Sequence, residues 1–581
     1  MLATRMRQAA AGAGGGTTLG DGLSWWFYLN EASDGSGAVA RIDAVASESL
    51  TDNNTVASTT DGSDTVASFV RANSEYLSHA NGAKWQAGNN EFTFVGWIKP
   101  ATLNTNAGYI SKTSEFIFNQ SAANPQFYIY SAAGAVVAQV QSFAGITEVV
   151  AGNWYPFRCG YDKTRGRAFF QIKDTGLLYE KDTTAAPGTN TNAMFIGAFI
   201  TQYYNGLAKY FAKYDRLLTW GEWVQFCSGV VYPFAGVPAP STDPRFNIVT
   251  EGRSNLTNFS ASVTGGYSKI ILVGDSWMDL DDIPARFRSS LQTEYGDGGI
   301  GYWTFCNTLG NQDARVTSVS RTGTWTETGS TGYGIDASHV TATAAASINF
   351  TGTFDNLTIH YRQVSGGGSF RYRVDAGSWT AVDTNGATAY GTSTISGLAD
   401  AAHAVNIEWV SGTVVVFGAY MTSGSTGIVV NRCGHTSITT GLLSGVDGAN
   451  WTAAATSLDP DLAIITLGTN DQTNNVTPAT YISNMATIIG RLPAGCDVVV
   501  AMPADTIRKW STSGATTYGI YDYAEAMYAA GGWDAFHNPE DFGSYGYSGN
   551  MSWWLDSSHL NATGSNRFAD LVVAAFLTGW A

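Results

Sequence analysis

Close to its C-terminus the chain reads Trp553-Trp554-Leu555-Asp556-Ser557-Ser558-His559-Leu560. A histidine three residues after an aspartate, on a loop ahead of a final helical pattern, is a spacing with chemical use. Both side chains can reach one point, where the carboxylate fixes the tautomer of the imidazole and stabilises its protonated form. Histidine exchanges protons near neutral pH, its unperturbed pKa being about 6.5. A serine is available in Gly274-Asp275-Ser276, directly after an apolar run. Its hydroxyl becomes a competent nucleophile once a neighbouring base takes the proton. The tetrahedral intermediate that follows needs donors for its oxyanion, and losing one typically costs about 3–4 kcal/mol. Gly434 and Asn470 close two further apolar stretches, "GIVVNRCG" and "AIITLGTN", and could supply them.

Each residue also has a plainer reading. Ser276 could cap the helix that follows it, Asn470 could turn the chain, and Asp556 with His559 could form a surface N-cap. Asp275 reads as structural. His435, beside Gly434, is either a lining of the substrate pocket or a solvated loop residue. Trp553 and Trp554 are either a sugar-stacking wall or core.

The elements that must position these residues are visible as pattern. "SKIILVGDSW", "DPDLAIITLGTND" and "CDVVVAMPAD" are continuous apolar runs. Helical patterns follow them in "DDIPARFRSSLQTEYG", "TPATYISNMATIIGRL" and "YDYAEAMYAAGG", and the last is "NATGSNRFADLVVAAFLTGW". This alternation predicts a parallel sheet covered by helices on both faces, with functional groups at the carboxyl ends of the strands. Residues 335–422 alternate with period two instead, as in Leu357, Ile359, Tyr361 and Val405, Ile407, Trp409. They read as a small β-sandwich inserted in the α/β domain.

Taken together, "GDS" at 274–276, the glycine at 434, "GTND" at 468–471 and "DSSH" at 556–559 resemble the SGNH, or GDSL-type, hydrolases, in that family's order. The resemblance implies a three-layer α/β hydrolase domain over 268–334 and 423–581. It implies Ser276 as nucleophile, His559 as its base and Asp556 as the residue orienting the imidazole. The oxyanion hole would be the Ser276 and Gly434 N–H groups and the Asn470 amide, with Gly310 or Gly301 as alternatives to Gly434. No metal or other cofactor is implied. The stretch between Ser276 and Gly434 is longer than is usual in the family, and the insert accounts for the excess. Some polysaccharide and peptidoglycan O-acetylesterases of this family carry a carbohydrate-binding module at that place.

Residues 21–232 read as β-structure almost throughout, with one late helix in "LLTWGEWVQF" that Thr219 would cap, Glu222 following three residues later. The order of "FTFVGWIKP", "GNWYPFRCGYD" and "YYNGLAKYFAKYDRLLTWGEWVQF" resembles the laminin-G or concanavalin A-like lectin fold. That implies a jelly-roll β-sandwich and no particular ligand. Residues 233–267 open with Pro233, Pro238, Pro240 and Pro244, a stiff spacer. Residues 1–20 read as a flexible arm, without the apolar centre of a secretory signal.

Composition narrows the partners. No apolar run approaches 18 residues, so no membrane span is expected. A net charge of −16 without acidic runs argues against nucleic acid and anionic membranes. Aromatic residues equal charged ones at 13% each, which suits a sugar. The five scattered cysteines form no CxxC and read as buried free thiols rather than a metal cluster or disulfide framework. The expected function is a serine esterase removing O-acyl groups, O-acetyl foremost, from a carbohydrate such as a host surface polysaccharide. The alternative is a receptor-binding or adhesion protein whose hydrolase-like domain only binds. The whole resembles a bacteriophage tail protein. That implies a virion location, action outside the cell, tail-protein partners through the N-terminal arm and a homotrimer; an extracellular bacterial protein is the alternative setting.

Overall fold

The computed structural model describes residues 23–27, 29, 41–42, 49–62, 64–103, 106–121, 124–143, 146–173, 176–218, 220–227, 248–306, 313–509 and 516–580. They fall into two units. One comprises the chain up to Asn247 with Trp510–Ala515 and Gly543–Ser552, the other Ile248–Lys509, Thr516–Phe542 and Trp553–Ala581.

The first unit is built from strands rich in aromatic residues at alternate positions, which is why it makes two antiparallel sheets of eight strands each. The sheets meet through rings: Phe94 on Phe92–Pro100 lies 4.5 Å from Phe116 of the opposite sheet, and Phe157 lies 4.9 Å from Phe118. Tilted ring pairs of this kind add to the gain from burial alone. The helix Trp220–Cys227 packs Trp223 and Phe226 against Trp26, Val95 and Tyr214. Its Glu222 accepts from two Arg216 nitrogens at 2.8 and 2.7 Å. Thr219, the arm 1–20 and positions 233–247 lie outside the described residues. From Ile248 to Lys509 the chain belongs to the second unit, where Thr257–Thr264 is helical.

A short helix, Tyr545–Asn550, also belongs to the first unit. Its Gly546 lies so close to strand Leu178–Asp182 that a Cβ there would fall 1.8 Å from the Leu178 carbonyl oxygen. The Arg167 guanidinium stands 3.5 Å over the Tyr547 ring, and the Tyr547 hydroxyl donates to Asp182 at 3.0 Å. Tyr545 meets Phe143 edge-on at 5.1 Å.

In the second unit the apolar runs form a five-stranded parallel sheet. Its strands are β1 (Tyr267–Gly274), β2 (Gly427–Gly434), β3 (Leu462–Thr466), β4 (Asp497–Ala501) and β5 (Ala535–His537), in the order β2-β1-β3-β4-β5. Helices α1 (Asp282–Tyr295), α2 (Gly448–Leu458), α3 (Pro478–Ile489), α4 (Ile520–Ala530) and α5 (Ala562–Val572) cover it. Trp451 of α2, Tyr481 and Met485 of α3 and Tyr523 of α4 share one core with Ile271, Val273 and Ile465 of the sheet. Helices α1 and α5 are tied by a two-pronged Arg286–Asp570 pair at 2.7 and 3.1 Å. The strand order reverses between β1 and β3, so their carboxyl ends open a crevice.

Between α1 and β2 the chain makes two antiparallel sheets, of six and five strands. Trp303, Phe350, Phe370, Tyr372, Val405 and Ile407 fill the space between them. This sandwich begins before residue 335. Gly301–Thr304 pairs with Val414–Thr422, and Thr317–Thr322 with Ser347–Phe354. Neither early strand alternates: "GYWT" is mostly buried and "TSVSRT" is mostly exposed, so period two has nothing to register.

Candidate active site

The carboxyl end of β1 carries Gly274-Asp275-Ser276. A Cβ on Gly274 would fall 2.5 Å from the Thr466 carbonyl oxygen of β3, so glycine is what lets the two backbones close up. Asp275 caps the turn Ser276–Asp279 by accepting from the Trp277 N–H at 3.0 Å. Burial, with Asp471 nearby, pushes the Asp275 carboxyl up to about 7. The cap is therefore Asp275, and the Ser276 hydroxyl is left for other work.

That hydroxyl lies 2.9 Å from Nε2 of His559. The Asp556–His559 turn explains the three-residue spacing. Asp556 Oδ1 accepts from the Ser558 and His559 N–H groups at 2.7 and 2.8 Å, which folds the chain back on itself. Oδ2 is then left to accept from His559 Nδ1 at 2.8 Å. Burial raises the Asp556 carboxyl, but the hydrogen bonds from the His559 ring and from these two backbone groups outweigh it and hold the pKa below the usual carboxylate value. Asp556 thus stays ionised wherever His559 could act as a base. The turn is closed by Leu555 N–H donating to the His559 carbonyl at 2.8 Å. Asn561 then caps α5 through the Gly564 N–H at 3.1 Å.

Two residues that the sequence did not single out fasten this loop in place beside Ser276. Trp277 donates from Nε1 to the Ser558 carbonyl at 3.0 Å and packs on Phe568 of α5. Arg508 grips the Ser558 hydroxyl with two nitrogens at 2.9 and 2.6 Å. The position of Trp277, directly after Ser276, was the one available signal; Arg508 offered none.

Gly434 ends β2 opposite Gly274 in register. A Cβ on it would meet the Met278 carbonyl carbon at 2.4 Å and the Asp279 nitrogen at 2.6 Å, so it lies directly against the Ser276–Asp279 turn. Asp279 Oδ2 holds the following residues there by accepting from the Thr436 N–H and hydroxyl at 2.9 and 2.7 Å. Asn470 follows β3, and one hydrogen of its Nδ2 goes to the Ile438 carbonyl at 3.0 Å. That bond fixes the amide plane and leaves a second N–H to donate. Gly310 lies outside the described residues, and Gly301 opens an insert strand against the Val430 carbonyl. If Asn470 donates to the oxyanion, Asn470→Ala will lower kcat for p-nitrophenyl acetate about 10²–10³-fold with KM little changed. Steady-state kinetics retaining more than a tenth of the parent kcat would remove it from that role.

The remaining candidates are placed differently. Trp553 is buried against Phe542 at 5.1 Å and covers Gly564, so it packs the core rather than facing a ligand. Trp554 is half-buried and meets Trp277 edge-on at 6.2 Å, while Leu555 beside it is 72% exposed. His435 is covered at Nε2 by Gly329 of the insert, and its Nδ1 lies 2.7 Å from the Thr436 carbonyl. It does not present a ring nitrogen to a substrate.

No family model matches the chain, and no curated protein does. Among solved structures it is similar to a peptidoglycan O-acetylesterase at 17% identity and a TM-score of 0.46, over 55% of this chain and 93% of that one. It is also similar to domain 4 of AbnA, a GH43 extracellular arabinanase from Geobacillus stearothermophilus, at 15% identity and a TM-score of 0.28, over 35% of this chain and 98% of that one. The CBM40 of a Ruminococcus gnavus IT-sialidase matches at 13% identity and a TM-score of 0.21, over 24% of this chain and 84% of that one.

Proposed function

We propose that the protein is a serine esterase that removes O-acyl groups, O-acetyl foremost, from a carbohydrate. The observation that carries this is the unbroken chain from Ser276 Oγ through the His559 ring to Asp556, at 2.9 and 2.8 Å. In this reading His559 Nε2 takes the Ser276 proton as Oγ attacks the ester carbonyl. The oxyanion accepts from the Ser276 and Gly434 N–H groups and from Asn470. His559 returns the proton to the departing sugar hydroxyl, and water repeats the sequence on the acyl-enzyme. Ser276 is only 3% exposed, which favours a small acyl group. The high ratio of aromatic to charged residues favours a sugar as the alcohol.

The test is acetate release from an O-acetylated polysaccharide and from p-nitrophenyl acetate, with rapid-quench mass spectrometry of the peptide containing Ser276. Acetate release with a transient acetyl group on that peptide is the expected result. Failure to release acetate from either substrate would end the esterase reading.

A further inference from the structure

Between its strands Thr326–Thr328 and His339–Ala342 the inserted sandwich runs a loop, 329–338, toward the oxyanion side of the site. At the near end Gly329 closes on the ring of His435, the residue after Gly434: a Cβ on Gly329 would fall 2.5 Å from Nε2. At the far end Ile335 and Ala337 are wholly buried in the core of the parallel sheet, and Trp451 donates to the Ile335 carbonyl at 2.9 Å. Both ends are thus fastened to the catalytic unit. Midway, the Arg362 guanidinium lies 3.6 Å over the Tyr333 ring, which stacks on His339 at 5.0 Å. Four residues of chain span at most about 14 Å, so Tyr333 and the cation it carries lie within that reach of Gly329, which itself touches the neighbour of Gly434.

Arg362 differs from its fellows in the insert. Of the five arginines between Gly301 and Thr422, Arg315, Arg321 and Arg371 pair with Asp313, Glu327 and Glu408. Arg373 reaches the Asn406 side chain at 3.4 Å. Arg362 has neither a carboxylate nor a hydrogen-bond acceptor among the described residues, and its Nε is buried without a partner. It is half-buried, so water does not fully compensate. His339, pushed down to about 4 by burial and then by Arg362 itself, stays neutral at ordinary pH and adds no second positive charge beside the guanidinium. A planar guanidinium held over a ring, with its fork unspent, is suited to a carboxylate. With a net charge of −16, the protein does not draw in polyanions by its overall field, so recognition of an acid must be local.

We propose that Arg362, seated on Tyr333, is a carboxylate-binding subsite that anchors an acidic, uronate-bearing glycan beside the Ser276 centre. This rests on the esterase reading for its reaction but not for its binding. The substrate would then be an O-acetylated acidic polysaccharide, with the acyl group presented to Ser276 while a neighbouring residue's carboxylate engages Arg362.

The test compares kcat/KM for acetate release from O-acetylated polygalacturonate and from the same polymer after its carboxyl groups are reduced to alcohols. The parent is expected to prefer the acidic polymer. Arg362→Gln should lower that preference about tenfold through KM, the scale of a charge-assisted pair. Arg362→Lys should restore it only in part, because an ammonium lacks the fork. Arg371→Gln, which removes an exposed paired charge of the same insert, should keep the parent ratio. Thermal unfolding checks that each variant folds, and if the glutamine variant does not, the lysine variant decides. The preference should also shrink as salt is raised. An unchanged ratio in folded Arg362 variants would overturn the subsite and leave the esterase intact. If the parent releases no acetate from any substrate, the esterase reading falls by itself. Calorimetry with unacetylated trigalacturonate then decides the subsite: binding that Arg362→Gln or Arg362→Lys weakens supports it, and binding that is absent or indifferent to Arg362 overturns it.

Discussion

Ser276→Ala is expected to slow acetate release from p-nitrophenyl acetate by at least about 10⁴-fold, the scale seen when a nucleophile that works with a base is removed. The reason is local. Ser276 is the residue at the end of β1 whose hydroxyl faces His559 Nε2. Ser558, the nearest alternative on the loop, has its hydroxyl held by Arg508. What remains is water activated by His559 within the oxyanion donors, which keeps a small residual rate. The exchange removes one oxygen beneath a turn already capped by Asp275, so thermal unfolding should be nearly unaffected. A folded alanine variant with a tenth or more of the parent turnover would mean that another group attacks the ester.

Asp556→Asn should cost about 10³-fold in kcat at neutral pH. Asparagine keeps an oxygen where Oδ1 receives the Ser558 and His559 N–H groups, so the turn survives. In place of Oδ2, however, it offers an amide donor to the hydrogen on His559 Nδ1. The imidazole then favours the other tautomer, with its proton on Nε2 pointing at Ser276, where it cannot accept. A fully buried carboxylate lost this way costs about 10⁴. The smaller figure follows from exposure, since the Asp556 side chain is 51% accessible and water screens part of its effect. Stopped-flow or steady-state rates within tenfold of the parent would show that Asp556 only shapes the loop.

How much of this was legible in the chain follows from which interactions are local. The parallel strands were plain because their sides face protein throughout, as in Ile270–Val273, and apolar runs of that length have few other uses. The Asp556–His559 turn was plain because its hydrogen bonds span two and three residues. The insert's first strands were hidden because burial, not alternation, decides "GYWT", and because "TSVSRT" turns only one apolar residue, Val319, toward the core. Tyr545–Asn550 was hidden for another reason: "YGYSGN" holds two glycines and has little helical preference of its own, so packing on Leu178 and Arg167 makes it a helix. Trp277 and Arg508 act on a residue hundreds and tens of positions away, respectively, and nothing in their own neighbourhoods announces it. Trp553 and His435 had the right chemistry but the wrong exposure, which sequence does not report.

That helix of low intrinsic preference, Tyr545–Asn550, has a practical bearing on how the polypeptide can be divided. Proteolysis or gene truncation at the proline-rich stretch would not yield two self-sufficient pieces. A fragment beginning at Ile248 would keep residues 545–550 but lose Phe143, Arg167 and Leu178, the seat on which they fold. The faces of Tyr545 and Tyr547 would then be bared to solvent, eight and six residues upstream of Trp553, ahead of the loop that bears His559.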